Sequence, residues 1–353
     1  MIRSVLLSFA LIFASATQVS CAAPEPQSRP YGNTPTGAPV SAYTPSERSG
    51  IYKVEVRQGN WSERRRTGQR DVPWKAYLPE ARAGQAPVII FSHGLGGSRD
   101  GSESMGRHLA SHGYAVFHIQ HAGTDRAAFQ RLGAEGIMAS LRDDPQIILD
   151  RFRDVPFALD EVTKLSRSEL RGRIDPARAG ISGHSFGAIT TLTIAGQRAQ
   201  RRIIGQRFAD PRFTAALAMS PNKPAQGSAQ EAFADMKMPI FHMTGTKDGS
   251  PVNPNMSPSD RLIPFATINN VGQHLLLLNG GTHFTFADVD EFQSRSLAYP
   301  GLDRHKALIR AGSLAYWDAY LKGNASAKSW LVNGGYARYA GDQARVDYKP
   351  ARR

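Results

Sequence analysis

Short, unbroken apolar runs recur along the middle of the chain, each ending in glycine or small polar residues. They are Val88-Ile89-Ile90-Phe91, Ala115-Val116-Phe117-His118-Ile119, Phe213 to Met219, Pro239 to Met243 and His274 to Leu278, with Arg178 to Ser182 between the second and third. A strand buried on both faces needs apolar side chains at every position, so these runs predict the central strands of a parallel sheet. Ile51 to Val56 and Val72 to Leu78 instead alternate apolar and polar residues, which predicts an antiparallel opening hairpin with one solvated face. Helical patterns fall between the runs, at Gly106 to His112, at Ala188 to Ala195, and from Asp144-Pro145, an N-cap and first helical position, to about Leu165. Pro156 inside that last stretch predicts a kink. Arg304 to Lys322 places Leu308, Ala311, Leu314, Ala315 and Leu321 at helical spacing. Repeated strand, loop and helix segments give an α/β class: a mainly parallel central sheet with helices on both faces.

The same pattern divides the chain. Residues 1–23 carry Arg3, an apolar stretch from Val5 to Ala14 too short to span a bilayer, and the small residues Ser20-Cys21-Ala22-Ala23, the three parts of a secretory signal. Residues 24–50, dense in Pro, Gly, Ser and Thr, read as a disordered leader. Residues 51–333 form the α/β domain, and 334–353, polar in character, read as a frayed C-terminal tail. Cys21 is the single cysteine, which excludes an intramolecular disulfide. A bacterial lipoprotein modified at Cys21 is the alternative to a cleaved signal, although Gln18 stands where such a signal carries an aliphatic residue.

The net charge of +13 predicts electrostatic attraction to anionic membrane surfaces. No aromatic-interleaved basic cluster points to sequence-specific nucleic-acid binding, and Glu63-Arg64-Arg65-Arg66 reads as a solvated turn between strands.

The candidate chemistry sits at Gly183-His184-Ser185-Phe186-Gly187, between a predicted strand and a predicted helix. Strand, Gly-x-Ser-x-Gly turn and helix make a nucleophile elbow, whose flanking glycines remove clashes between the tight turn and its neighbours. Serine needs a base, and the base needs a carboxylate to set its tautomer. In this arrangement the order along the chain is Ser, then Asp or Glu, then His. His283 and Asp248 each follow a predicted strand directly; Asp260, Asp288 and Asp290 compete with Asp248, and His242, His274 and His305 with His283. Ser92-His93-Gly94-Leu95-Gly96-Gly97 ends the first central strand, so the backbone N–H of Leu95, paired with that of Phe186, is the candidate oxyanion hole. His93, His121 and His184 are candidate pocket residues at the same rim, and Ala122 to Leu141 and Ser250 to Pro264 are candidate lid or wall segments.

Together with the elbow, Phe91-Ser92-His93-Gly94-Leu95-Gly96-Gly97, Leu109-Ala110-Ser111-His112-Gly113-Tyr114, Arg153-Asp154-Val155 and Gly281-Thr282-His283-Phe284-Thr285-Phe286 resemble the α/β-hydrolase superfamily. The branch is the one containing platelet-activating-factor acetylhydrolases and the bacterial proteins called predicted dienelactone hydrolases. The resemblance covers about residues 50 to 330 and implies the α/β-hydrolase fold. It departs at two points. The acetylhydrolases carry their acid after the strand that follows the elbow, where this chain reads Met219-Ser220-Pro221, so the acid is expected at Asp248. Dienelactone hydrolases use a cysteine nucleophile where this chain has serine, so that name says nothing about substrate. The expectation is an exported serine hydrolase of small-molecule or lipid carboxylic esters, needing no cofactor and no metal. Acyl transfer to another acceptor, peptide cleavage, or a non-catalytic binding protein on the same scaffold are the alternatives.

Overall fold

The computed structural model describes residues 43–66, 68–81, 84–198, 208–288 and 299–352. The signal, Cys21 and the leader up to residue 42 lie outside the described residues, as does Asp290. Nine strands form one sheet in the order β1-β2-β4-β3-β5-β6-β7-β8-β9. These are β1 (Val54–Arg65), β2 (Gly68–Pro79), β3 (Ala86–Ser92), β4 (Ala115–Ile119), β5 (Ile174–His184), β6 (Phe213–Met219), β7 (Ile240–Lys247), β8 (Gln273–Thr282) and β9 (Ala344–Lys349). The six strands from β3 to β8 pair in parallel, while β1, β2 and β9 add antiparallel edges.

Successive residues of one strand point to opposite faces, and each face is covered. Val88 and Ile90 of β3 face Val155, Leu159 and Val162 of helix α3 (Gln146–Arg167), and Ile89 and Phe91 lie in the cluster with Leu109, Tyr316 and Trp317 on the other side. Leu109 belongs to α1 (Glu103–Ser111), and Tyr316 and Trp317 to the helix Leu302–Tyr320. Each such large side chain taken out of water contributes about 1.5–3 kcal/mol, which is why apolar residues dominate the runs. Helix α3 continues through Pro156 without a break, held along its length by Val155, Ala158, Leu159 and Val162. The break in helical backbone falls in α2 (Arg126–Asp143), at Gly133 with φ 65°. Among the described residues no helix is long and apolar enough to cross a membrane.

Three expectations are corrected. The stretch after 334 is not frayed: Gly335–Ala340 is helical, Tyr336 is buried against Trp330 and donates to Leu308 O (2.8 Å), and β9 closes the sheet against β8. The charged residues of β9 suit an outer strand, whose free side faces water. Residues 43–50 are docked on the domain, with Tyr43 Oη donating to Asp318 (2.6 Å) and Gly50 N–H to Ser111 Oγ (2.8 Å). Glu63 and Arg65 lie within β1, and Arg65 is a buried ion-pair partner of Asp150 (3.2 Å) and Asp154 (3.0 Å) rather than a solvated turn residue.

Burial also keeps histidines neutral. Burial pushes His108, His242 and His274 down to about 3 and His118 down to about 4. A histidine held neutral in the folded state but free to charge when unfolded contributes stability that is complete above about pH 6.5 and is lost as pH falls toward 3–4, up to about 1.4 kcal/mol per pH unit each. Denaturant unfolding at pH 7, 6 and 5 is therefore expected to show a steepening loss; a flat profile would contradict it.

Candidate active site

β5 ends by forcing Ser185 to φ 58° and ψ −115°, a backbone state that L residues rarely adopt. The elbow is held by Ser185 N–H donating to Met219 O (2.9 Å) and by its entry into α4 (Phe186–Ile194). A Cβ on Gly187 would lie 1.9 Å from Ser92 O, and one on Gly183 2.3 Å from Gly187 O, so only glycine allows the turn to sit this close to β3.

The candidate base, His283, follows β8 and the candidate acid, Asp248, follows β7. Gly245 lets the two strand ends cross closely, since its Cβ would lie 2.2 Å from Gly281 O. A one-turn 3-10 helix, in which Thr282 N–H donates to Thr285 Oγ1 (2.8 Å), then presents His283. Its Nε2 lies 2.9 Å from Ser185 Oγ and its Nδ1 2.8 Å from Asp248 Oδ1. Thr244 Oγ1 donates to Asp248 Oδ2 (2.8 Å). Asp248 is wholly buried and His283 nearly so.

The competing residues are engaged elsewhere. Asp260 pairs with Lys223 (3.0 Å), and Asp288 accepts from Ser104 N–H (2.7 Å). His242 bonds Gln273 (2.8 Å), His274 bonds Tyr320 (2.8 Å), and His305 bonds Tyr299 (2.7 Å).

The Leu95 loop packs against Ser185: a Cβ on Gly94 would lie 3.4 Å from Ser185 Cβ. Its conformation follows from a chain of donors. His121 N–H donates to His93 Nε2 (3.0 Å), so the His93 ring proton sits on Nδ1 and reaches Gly94 O (2.6 Å). Gly97 N–H donates to the same carbonyl (3.1 Å). In a trans peptide the N–H points away from the C=O, so fixing the Gly94 carbonyl fixes the direction of the Leu95 N–H. Phe186, as the first residue of α4, has no intrahelical acceptor for its own N–H.

His93, His121 and His184 do not line an open pocket. All three are buried and hydrogen-bonded, and burial, first of all, holds each well below the ordinary histidine range. His184 Nε2 lies 3.0 Å from His283 O and braces the base from beneath. Sequence reasoning assigned no role to the ions behind the loop. Arg151, wholly buried, donates to Thr190 Oγ1 (2.9 Å), Thr124 Oγ1 (2.7 Å), Ser92 Oγ (3.0 Å) and His93 O, and its guanidinium lies 4.5 Å from the centre of the Phe186 ring. Burial pushes it down to about 9, still cationic at neutral pH. Asp154 joins Arg70 (2.6 and 3.0 Å), Arg65 (3.0 Å) and His121 Nδ1 (2.9 Å). The available signal was positional: Arg151 and Asp154 fall on the same helical stripe as Val155, Ala158 and Val162.

Residues 59–154 match the family described as platelet-activating factor acetylhydrolase, isoform II. A cutinase of Thermobifida fusca is 28% identical over 80% of this chain and 75% of its own length. The platelet-activating factor acetylhydrolase of Cavia porcellus is 23% identical over 74% of this chain and 64% of its own. The chain is an α/β-hydrolase of the acetylhydrolase-like branch, and a carboxylic-ester hydrolase. A ferulic acid esterase structure from Streptomyces cinnamoneus shares the hydrolase's fold, with a TM-score of 0.54 at 19% identity over 77% of this chain and 91% of that one. Among the described residues of the hydrolase no cluster of three or more His, Cys, Asp or Glu side chains could hold a metal ion.

Proposed function

We propose that this ester hydrolase works through Ser185 as nucleophile, His283 as general base and then acid, and Asp248 as the carboxylate that orients His283. The observation that carries the reading is the continuous hydrogen-bond chain, 2.9 Å from Ser185 Oγ to His283 Nε2 and 2.8 Å from His283 Nδ1 to Asp248 Oδ1. Oγ bonds to the ester carbonyl carbon while Nε2 takes its proton, and the carbonyl oxygen becomes an oxyanion facing the Leu95 and Phe186 amides. The bond to the leaving alcohol then breaks as His283 returns the proton to that oxygen. Water attacks the acyl-serine by the same route, releasing the acid and restoring Ser185.

The substrate in this reading is a small-molecule or lipid ester, in keeping with the acetylhydrolase and cutinase names of the relatives. Export on the signal at residues 1–23 places the enzyme in the periplasm or outside the cell, with Cys21 as the anchor if it is lipid-modified. A fluorophosphonate probe is expected to label the full-length protein at Ser185 alone, and prior labelling to block hydrolysis of p-nitrophenyl esters of every chain length. Labelling elsewhere, or hydrolysis that survives complete labelling, would refute the assignment.

A further inference from the structure

The segment after Asp248 returns one side chain to the base. Arg261, in the 3-10 turn Pro258–Leu262, is only 1% exposed. Its Nε donates to Asp248 O (3.1 Å) and lies 3.4 Å from Asp248 Oδ1. Its Nη1 donates to Ser220 O (3.0 Å) and to Asn222 Oδ1, beyond the end of β6. Its Nη2 lies 3.2 Å from His283 Nδ1.

A guanidinium can only donate, and in the catalytic tautomer Nδ1 already carries the proton it gives to Asp248. The Nη2 approach is therefore a positive charge set beside the imidazole, without a hydrogen bond to gain from it. That charge attracts the Asp248 carboxylate and repels positive charge on the neighbouring ring.

We propose that Arg261 is a positioning residue for the acid–base pair: it clamps the Asp248 loop to the chain beyond β6, and its charge beside Nδ1 of His283 offsets the pull of the Asp248 carboxylate on that ring. The inference rests on the Ser185–His283 reading. The other groups facing His283 are Asp248 from the loop after β7, itself held by Thr244, Ser185 and His184 from the end of β5, and Phe284 from its own turn. His184 is neutral, and Lys306, on the helix Leu302–Tyr320, acts on His184. Asp260 beside Arg261 is paired with Lys223 (3.0 Å). Arg261 is thus the cation in contact with the His283 ring, set against the anionic pull of Asp248.

The sign of the effect follows. With the cation removed, the Asp248 carboxylate acts on the imidazole unopposed, so the acid limb of kcat/KM is expected to move up. The test measures kcat/KM against pH on a soluble p-nitrophenyl ester for the full chain, R261M, R261Q and R261K, with the fluorophosphonate labelling rate at each pH as a second readout. R261M and R261Q, either of which suffices should the other not fold, are expected to raise the limb by about 1–3 units, and R261K to restore it. An unmoved limb in a neutral variant that still labels, or an equal shift in R261K, would overturn the assignment of charge to Arg261. Activity that survives Ser185→Ala would instead overturn the triad reading beneath it.

Discussion

Ser185→Ala is expected to lower kcat on any ester by about 10⁶-fold, leaving KM and the melting temperature close to wild type. In the proposed mechanism Oγ is the atom that bonds to the substrate, and it lies 2.9 Å from His283 Nε2, the nitrogen that would remove its proton. No neighbouring hydroxyl replaces it, because the Ser92 hydroxyl, on the adjacent strand, is wholly buried and committed to His121 (2.9 Å) and Arg151 (3.0 Å). The fold does not depend on Oγ: the strained turn is held by backbone bonds and by the close approach of Gly187 to Ser92, all of which alanine keeps. Steady-state kinetics with a melting curve on the same sample checks both halves. A variant retaining a hundredth of wild-type kcat would mean that another group is the nucleophile.

Asp154→Ala is expected to cost about 3–5 kcal/mol of folding stability, the largest loss among the substitutions considered. The wholly buried carboxylate faces Arg65, Arg70 and His121, and alanine would take from the Arg70 guanidinium the carboxylate it pairs with and leave Arg65 to Glu63 and Asp150 alone. The bonds beyond it have a fixed direction. His121 Nδ1–H donates to Asp154, so His121 Nε2 accepts from the Ser92 hydroxyl, whose oxygen accepts from Arg151. The His121 amide then sets the His93 tautomer and, through it, the Gly94 carbonyl. Asp160→Ala, at an exposed partner of Arg212, is the control and should change stability by less than about 1 kcal/mol. Denaturant unfolding of the three proteins decides it; equal stabilities would show that the buried cluster leaves no charge uncompensated.

Much of this site was legible because it depends on local patterns. Strand, Gly-x-Ser-x-Gly and helix are contiguous in sequence, so Ser185 is identifiable from its neighbours alone. Asp248 and His283 share the feature that each ends a buried strand, which in a parallel sheet puts them on one edge. The edge strand β9 escaped because it is short and five of its six residues are incompletely buried, so that its alternation of Ala344, Val346 and Tyr348 with charged residues stands out little from the polar residues before it, and its stability comes from pairing with β8. Arg65 escaped for the opposite reason: within a run of charges it looks solvated, and only the approach of α3 buries it.

Residue order alone determined the class of sheet and singled out the candidate nucleophile and the two candidate partners that follow it, since apolar periodicity and a five-residue turn are properties of neighbours in sequence. Only the folded chain decided which buried ions hold those groups. Arg261 meets Asp248 and His283, and Asp154 meets Arg65, Arg70 and His121, through contacts between segments distant in sequence. A charge taken out of water is tolerable only beside its partner, and the partner's identity is fixed by packing rather than by spacing.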